Sequence, residues 1–448
     1  LCLVARCADN SLVIIDGGAA AHMTGERGVK FNEFLHEITG TSVGEKITVR
    51  TWYLSHLHAD HYRGFNEFIK EYYAQYELQS ICTNINFGFD DAKDTDTSNF
   101  GNFLKTTYPG IKEVKLHTGQ KISFAGASMQ VLYTHEDKVN GTSGKNDIST
   151  LSLNHSSTVV KMDVGGMSIM VLADAKDTVE ECLQTAFTET TLKCDVVQIA
   201  HHAYDGVSKK LYEVIDADIC LVPNSYGKYM ERYVDTSLLE VYPELKPIID
   251  GSTTYFAGKF EFTVGLAKVD GAIKAVYESQ STPEYEEPEV TLDITKDSET
   301  KWNELESLGG ATKVWRLKEL PTYVGGSMSL YSYNSGTTIT NYLDSDAYGA
   351  QMMLITNTNL TEFEAYVELL KTNGYTVEQK ETLEGNVYVT LKKGENVVHT
   401  YFTANNSTAR VILDKDTDTP SEVKVETPQT SDVAAESGAS EATGVWAN

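Results

Sequence analysis

Along residues 1–278, short runs rich in β-branched residues alternate with stretches whose apolar positions recur every three to four residues. The runs SLVIID (11–16), ITVRTWYLS (47–55), MQVLYT (129–134), STVVKMDV (157–164), SIMVLAD (168–174), DVVQIA (195–200) and ADICLVP (217–223) read as strands. Several are apolar throughout, as strands are when helices cover the outer face of their sheet. GFNEFIKEYYAQY (64–76) and TVEECLQTAF (178–187) read as amphipathic helices between them. The alternation predicts an α/β layered domain over residues 1–278.

ESQSTPEYEEPEV (278–290) breaks the pattern with two prolines among acids, so residues 279–290 read as a linker. A second, smaller α+β domain is expected over 291–413. Its helix is LTEFEAYVELLKTNG, with Thr361 and Glu364 as a capping box, an apolar face of Phe363, Tyr366, Val367 and Leu370, and Gly374 at the C-terminal cap. NVYVTLKKGENVVHTYFTANNSTARVIL then alternates like an antiparallel meander, with turns at Lys393–Gly394 and Asn405–Asn406. From Asp414 to Asn448 large apolar residues nearly vanish, and a disordered tail is expected over 414–448.

Composition narrows the function. A chain of 448 residues exceeds what one core supports, which agrees with two domains. No apolar run approaches the ~18 residues of a membrane-spanning helix. A net charge of −27 opposes attraction to nucleic-acid backbones and anionic membranes. The six cysteines form no CxxC pair and read as buried free thiols. The first residue is Leu, which reads as a mature or trimmed chain whose leader, if any, is missing; secretion stays open, and an extracytoplasmic or cell-surface location is favoured over a cytoplasmic one.

The chemistry concentrates in YLSHLHADHYRGF (53–65), where His56, His58, Asp60 and His61 fall within six positions. The motif follows a strand and precedes a helix, so it occupies a strand-to-helix loop at the carboxyl edge of the sheet, where ligand sites gather. The spacing suits two ions rather than one. Imidazole and carboxylate together suit zinc, with manganese or iron also compatible.

With VIIDGG upstream and NHSS, MVLADA and VQIAHHAYDG downstream, this motif resembles the metallo-β-lactamase superfamily, and the order of motifs resembles its ComEC-type branch. The resemblance covers residues 1–278 and implies an αββα sandwich with a dinuclear centre. By that resemblance His56 and His58 hold one ion, Asp60, His61 and His201 hold the other, and Asp174 bridges them. Asp60, Asp174 and His202 are the implied catalytic residues, His202 as a substrate or supporting contact. Asp16 would support the motif loop, with Asn154 and Ser157 as further supports, and Tyr204 and Asp205 stand where they could line the pocket. Two departures stand out. Related enzymes supply the first ion with a third histidine, for which only His117, His135 and His155 are available, His135 being best placed. Ala203 stands where the branch often has Gly.

There is no GxSxG elbow and no P-loop. The expectation is a bacterial-type hydrolase with two divalent ions, zinc or manganese, whose bound hydroxide attacks a phosphodiester or related ester. Its substrate would be a small molecule or a locally presented ester, and the second domain would assist binding or attachment. The alternatives are a thioesterase-, lactonase- or β-lactamase-like hydrolase, or a metal-stabilised binding module without turnover.

Overall fold

The computed structural model describes residues 1–42, 44–84, 111–138, 152–229, 245–257, 264–278, 320–321, 323, 325–331, 351–415 and 444–447. The first strands are β1 (Leu3–Arg6), β2 (Leu12–Ile15), β3 (Ile47–Tyr53), β4 (Tyr76–Leu78), β5 (Ser80–Thr83) and β6 (Lys112–Lys115). A second group is β7 (Lys121–Phe124), β8 (Ala127–Tyr133), β9 (Val159–Val164), β10 (Met167–Val171), β11 (Val196–Gln198), β12 (Ile219–Val222) and β13 (Thr253–Phe256). They are followed by β14 (Val264–Val269) and β15 (Ala272–Glu278), then β16 (Ser327–Tyr331), β17 (Gln351–Thr356), β18 (Thr376–Leu383), β19 (Asn386–Lys393), β20 (Asn396–Thr403), β21 (Thr408–Lys415) and β22 (Gly444–Ala447).

The first sheet has the order β15-β14-β22-β1-β2-β3-β5-β6, with β4 also on β3, and the second has the order β13-β12-β11-β10-β9-β8-β7. They face each other. The period-two alternation of β2 shows how: Val13 and Ile15 join Met129, Met162, Ile169 and Val196 between the sheets. Leu12 and Ile14 point the other way, against α1 (Gly25–Thr39) and α2 (Ala59–Tyr72) through Phe31, Leu35, Phe65 and Phe68. The outer face of the second sheet puts Met170 and Leu172 against α3 (Asp177–Ala186) and, after the single turn α4 (Glu189–Leu192), α5 (Lys209–Ile215). This is the αββα sandwich of the metallo-β-lactamase fold, and all seven expected strands are present. Five of the six cysteines are buried, Cys182 is half-buried, and all are free thiols. No helix among the described residues is long and apolar enough to cross a membrane.

The third sheet, β16-β17-β21-β20-β19-β18, carries α7 (Leu360–Thr372) on one face, after α6 (Leu245–Gly251) of the sandwich. Phe363, Tyr366, Val367 and Leu370 are buried there as the sequence indicated. The cap differs: Asn359, not Thr361, accepts the backbone N–H of Glu362 at 3.0 Å. The opposite face joins the sandwich core through Met352, Leu354, Tyr388, Tyr401 and Ile412.

A buried charge cluster sits in that junction. Lys115 Nζ lies 2.8 Å from Asp414 Oδ1 and 3.5 Å from Glu136 Oε1, and His117 bridges Glu136 at 2.9 Å and Asp414 at 2.6 Å. All four side chains are at most 1% exposed. Burial pushes the His117 pKa down, but Glu136 and Asp414 outweigh it and raise it to about 9.

The expected linker at 279–290 lies outside the described residues. The expected tail is corrected at both ends. Asp414 is buried in β21, because Lys115 and His117 supply its partners. Gly444–Ala447 forms β22, antiparallel to both β1 and β14, because those two strands leave a place one strand wide between them.

Candidate metal centre

Four chain segments meet at one end of the sandwich, just past the carboxyl ends of β2, β3, β10 and β11. Asp16 follows β2 in a left-handed conformation (φ 53°). Its carboxylate accepts Ser55 N–H at 2.8 Å, Ser55 Oγ–H at 2.7 Å and His61 Nδ1–H at 2.7 Å. The loop after β3 supplies His56 and His58. Asp60 and His61 do not lie in that loop, because α2 begins at Ala59 and carries both in its first turn. There an acid is favoured by the helix dipole.

Asp174 follows β10 through a left-handed Ala173 (φ 49°). Gln198 Oε1 accepts Ala173 N–H at 2.6 Å, and Ser157 Oγ accepts Asp174 N–H at 3.2 Å. After β11, His201, His202 and Ala203 take φ values of 47°, 54° and 59°. Three successive left-handed non-glycine residues are rare and costly, and such strain gathers at functional sites. The conformation also explains why glycine suits position 203.

The hydrogen bonds fix the tautomers. Carboxylates and carbonyls only accept, so His61 Nδ1 donates to Asp16, His202 Nδ1 donates to Pro223 O at 2.8 Å, and His201 Nδ1 donates to Asp205 O at 3.0 Å. Ser55 gives its one proton to Asp16, so His56 Nδ1 donates to Ser55 Oγ at 3.1 Å. In each neutral ring Nε2 therefore carries the lone pair. All four converge on Asp174, at 3.7 Å for His56, 3.2 Å for His61, 3.9 Å for His201 and 3.6 Å for His202. His58 offers Nδ1, 3.0 Å from His56 Nε2, and His202 Nε2 lies 3.1 Å from Asp60 Oδ2.

Bare lone pairs facing carboxylates need a cation. Asp174 Oδ1 is buried and accepts no hydrogen bond. A proton can serve: burial opposes it, yet Asp174 and Asp16 lift the His61 pKa to about 10. For His56, burial and the neighbouring His61 drive the pKa well down, so that ring stays an unprotonated donor. The donor set of imidazole nitrogen and carboxylate oxygen fits divalent transition ions. Among the described residues, two groups have their ligand atoms within 4.8 Å of one another: His56, His61 and Asp174, and Asp60, His61 and His202.

The structure brings His56, His58, Asp60, His61, Asp174, His201 and His202 together. His202, rather than His201, stands in the compact group with Asp60 and His61. His201 is held by Asp205, which Lys176 Nζ pairs at 2.6 Å, and its Nε2 lies 3.1 Å from Asn154 Nδ2. Ser157 reaches both Asp174 and, at 3.4 Å, His56 Nδ1. Tyr204 stands with its ring centroid 5.8 Å from His201 and 5.9 Å from His202. None of His117, His135 or His155 joins these groups. His117 belongs to the buried junction, His135 is buried among the charges of Glu136, Lys115 and His117, and His155 pairs with Asp177 at 3.4 Å. Sequence reasoning missed Ser55, which joins Asp16 to His56; its signal was its place at the head of the motif.

No known family model matches the chain, and no curated protein does. Among solved structures it is similar to the metallo-β-lactamase fold protein YhfI from Bacillus subtilis, with 12% identity, a TM-score of 0.32, and coverage of 55% of this chain and 84% of that one. It is also similar to a variant of the β-hydroxylase CmlA, with 14% identity, a TM-score of 0.35, and coverage of 57% of this chain and 50% of that one. A flavo di-iron protein variant from Thermotoga maritima matches with 14% identity and a TM-score of 0.24 over 47% of this chain and 42% of that one. The assignment of the chain to this fold rests on its own strand order and layering.

Proposed function

We propose that the chain is a metal-dependent hydrolase of phosphodiesters or related esters. The observation that carries this is the convergence of four imidazole Nε2 atoms on Asp174. His56 and His58 would hold one ion, Asp60, His61 and His202 the other, and Asp174 would be shared. Bound there, a pair of divalent ions supplies an ionised water near neutral pH and neutralises charge on a phosphoryl oxygen.

The chain's own residues do the positioning. Asp16 fixes the ring of His61 and, through Ser55, that of His56. Pro223 O fixes His202, and Asp205 with Lys176 fixes His201. The absence of a third histidine beside His56 and His58 leaves room for substrate oxygens, which favours an anionic diester over a lactam. The net charge of −27 favours a small or locally presented substrate over a long polyanion.

The test is turnover of bis(p-nitrophenyl) phosphate, a thioester, a lactone and a cephalosporin by zinc- or manganese-reconstituted protein. Faster metal-dependent cleavage of the diester supports the reading. Preference for the cephalosporin or thioester would assign a different substrate class, and no turnover by a chain holding both ions would make it a binding module.

A further inference from the structure

Among the described residues His201 stands outside both compact ligand groups, although its Nε2 is 3.9 Å from Asp174 Oδ2, against 3.6 Å for His202. An ion about 2.0–2.2 Å from a nitrogen and from a carboxylate oxygen spans either gap. Distance to Asp174 therefore does not separate the two rings. The use of each Nε2 lone pair does. His202 Nε2 faces Asp60 Oδ2 at 3.1 Å, an ionised oxygen that offers it no proton. His201 Nε2 lies 3.1 Å from Asn154 Nδ2. Because His201 Nδ1 donates to Asp205 O, Nε2 is the acceptor and the Asn154 amide donates to it. The lone pair that an ion would need is taken up by this bond.

Asn154 is placed to make it. It belongs to the 3-10 turn Leu153–Ser156, which Ser156 Oγ–H closes on Leu153 O at 2.6 Å and Ser157 N–H closes on Asn154 O at 3.1 Å. Its side chain is buried, and among the described residues its Oδ1 has no hydrogen-bond partner. A buried amide with an unpaired oxygen costs stability that packing alone does not call for. On the other side of the imidazole, Asp205 holds Nδ1 and is itself paired by Lys176. The ring is gripped at both nitrogens.

We infer that Asn154 is a positioning residue that keeps His201 off the ions, so that the coordination position His201 would fill stays open for a substrate oxygen. This rests on the reading of the centre as a metal-holding hydrolase site. A zinc site closed by protein ligands is structural, whereas a catalytic one keeps a position free. Without the Asn154 N–H, the His201 lone pair would face Asp174 and complete a ligand set. The metal would then be held more firmly and an incoming anion would be excluded. A residue that merely supported the fold would loosen both.

Asn154→Leu keeps the size of the side chain and removes its N–H, and Asn154→Ala removes it without adding apolar bulk. Chelator competition on the zinc-reconstituted full chain reads metal affinity, and calorimetry with inorganic phosphate reads the open position. Either substitution is expected to tighten the more weakly held zinc about tenfold and to weaken phosphate binding by a similar factor. Adding His201→Ala should return both to the values of the unaltered chain. Unchanged or weaker zinc binding in both variants, or a change that survives His201→Ala, would overturn the proposal. Fewer than two zinc ions in the unaltered chain would overturn the reading of the centre, and this inference with it.

Discussion

Asp16 Oδ2 accepts a hydrogen bond from His61 Nδ1 at 2.7 Å, and both side chains are fully buried. The bond turns His61 Nε2 toward Asp174, 3.2 Å away, and raises its basicity as a ligand. Asp16→Asn keeps the volume but replaces the accepting oxygen or its charge. We expect metal affinity to fall about 10- to 100-fold without loss of the fold. A chelator competition titration reads this directly, and unchanged affinity would remove Asp16 from the account.

The junction with the third sheet should behave as part of the sandwich. Removing one member of the Lys115–His117–Glu136–Asp414 cluster strands a buried charge, so Asp414→Ala or Lys115→Met should cost about 3–5 kcal/mol in denaturant unfolding. Replacing Lys115 and Asp414 together by apolar residues should cost less than the sum. Single losses within about 0.5 kcal/mol would show that the sheet docks on apolar contacts alone.

His117 makes the junction sensitive to pH. Its pKa is raised to about 9 in the folded chain by Glu136 and Asp414, with Lys115 and the stacked ring of His399 also facing it. An unfolded histidine titrates near ~6.5. The charged ring therefore contributes its full stabilisation below pH ~6.5, and that contribution falls as pH rises and is gone above about 9. Thermal midpoints across this window should drop for the unaltered chain and stay flatter for His117→Gln. Parallel profiles would mean that His117 is neutral in the fold.

The strand Gly444–Ala447 is the bridge between β1 and β14. Proline at position 445 removes a backbone donor from a strand paired on both sides, so Val445→Pro should free the β14–β15 hairpin. Hydrogen exchange at Leu266 and Ala267 should then quicken, with β10 and β11 unaffected. Unchanged exchange would show that β14 holds without this strand.

Most of the sandwich was legible in the chain because its strands are covered on both faces and read as short apolar runs. The motif around His56 was legible because donor residues at that spacing have few other uses. The division between His201 and His202 was not. A left-handed run rotates adjacent side chains in a way that residue identity does not encode. The docking of the third sheet was hidden for a different reason: Lys115 and Asp414 look like ordinary surface charges until the fold pairs them across 299 positions. The short β22 lacks enough residues for any periodicity, and the helical start at Ala59 was masked by the ligand-rich composition of α2's first turn.

In the proposed centre two ions share Asp174, with His202 and not His201 completing the second set. Elemental analysis of zinc-reconstituted protein tests it most directly, comparing the unaltered chain with His201→Ala, His202→Ala and Asp174→Ala. Two ions per chain are expected in the unaltered protein, two in His201→Ala, one in His202→Ala and fewer than one in Asp174→Ala. One ion or none in the unaltered protein, or loss of an ion with His201→Ala but not His202→Ala, would contradict it.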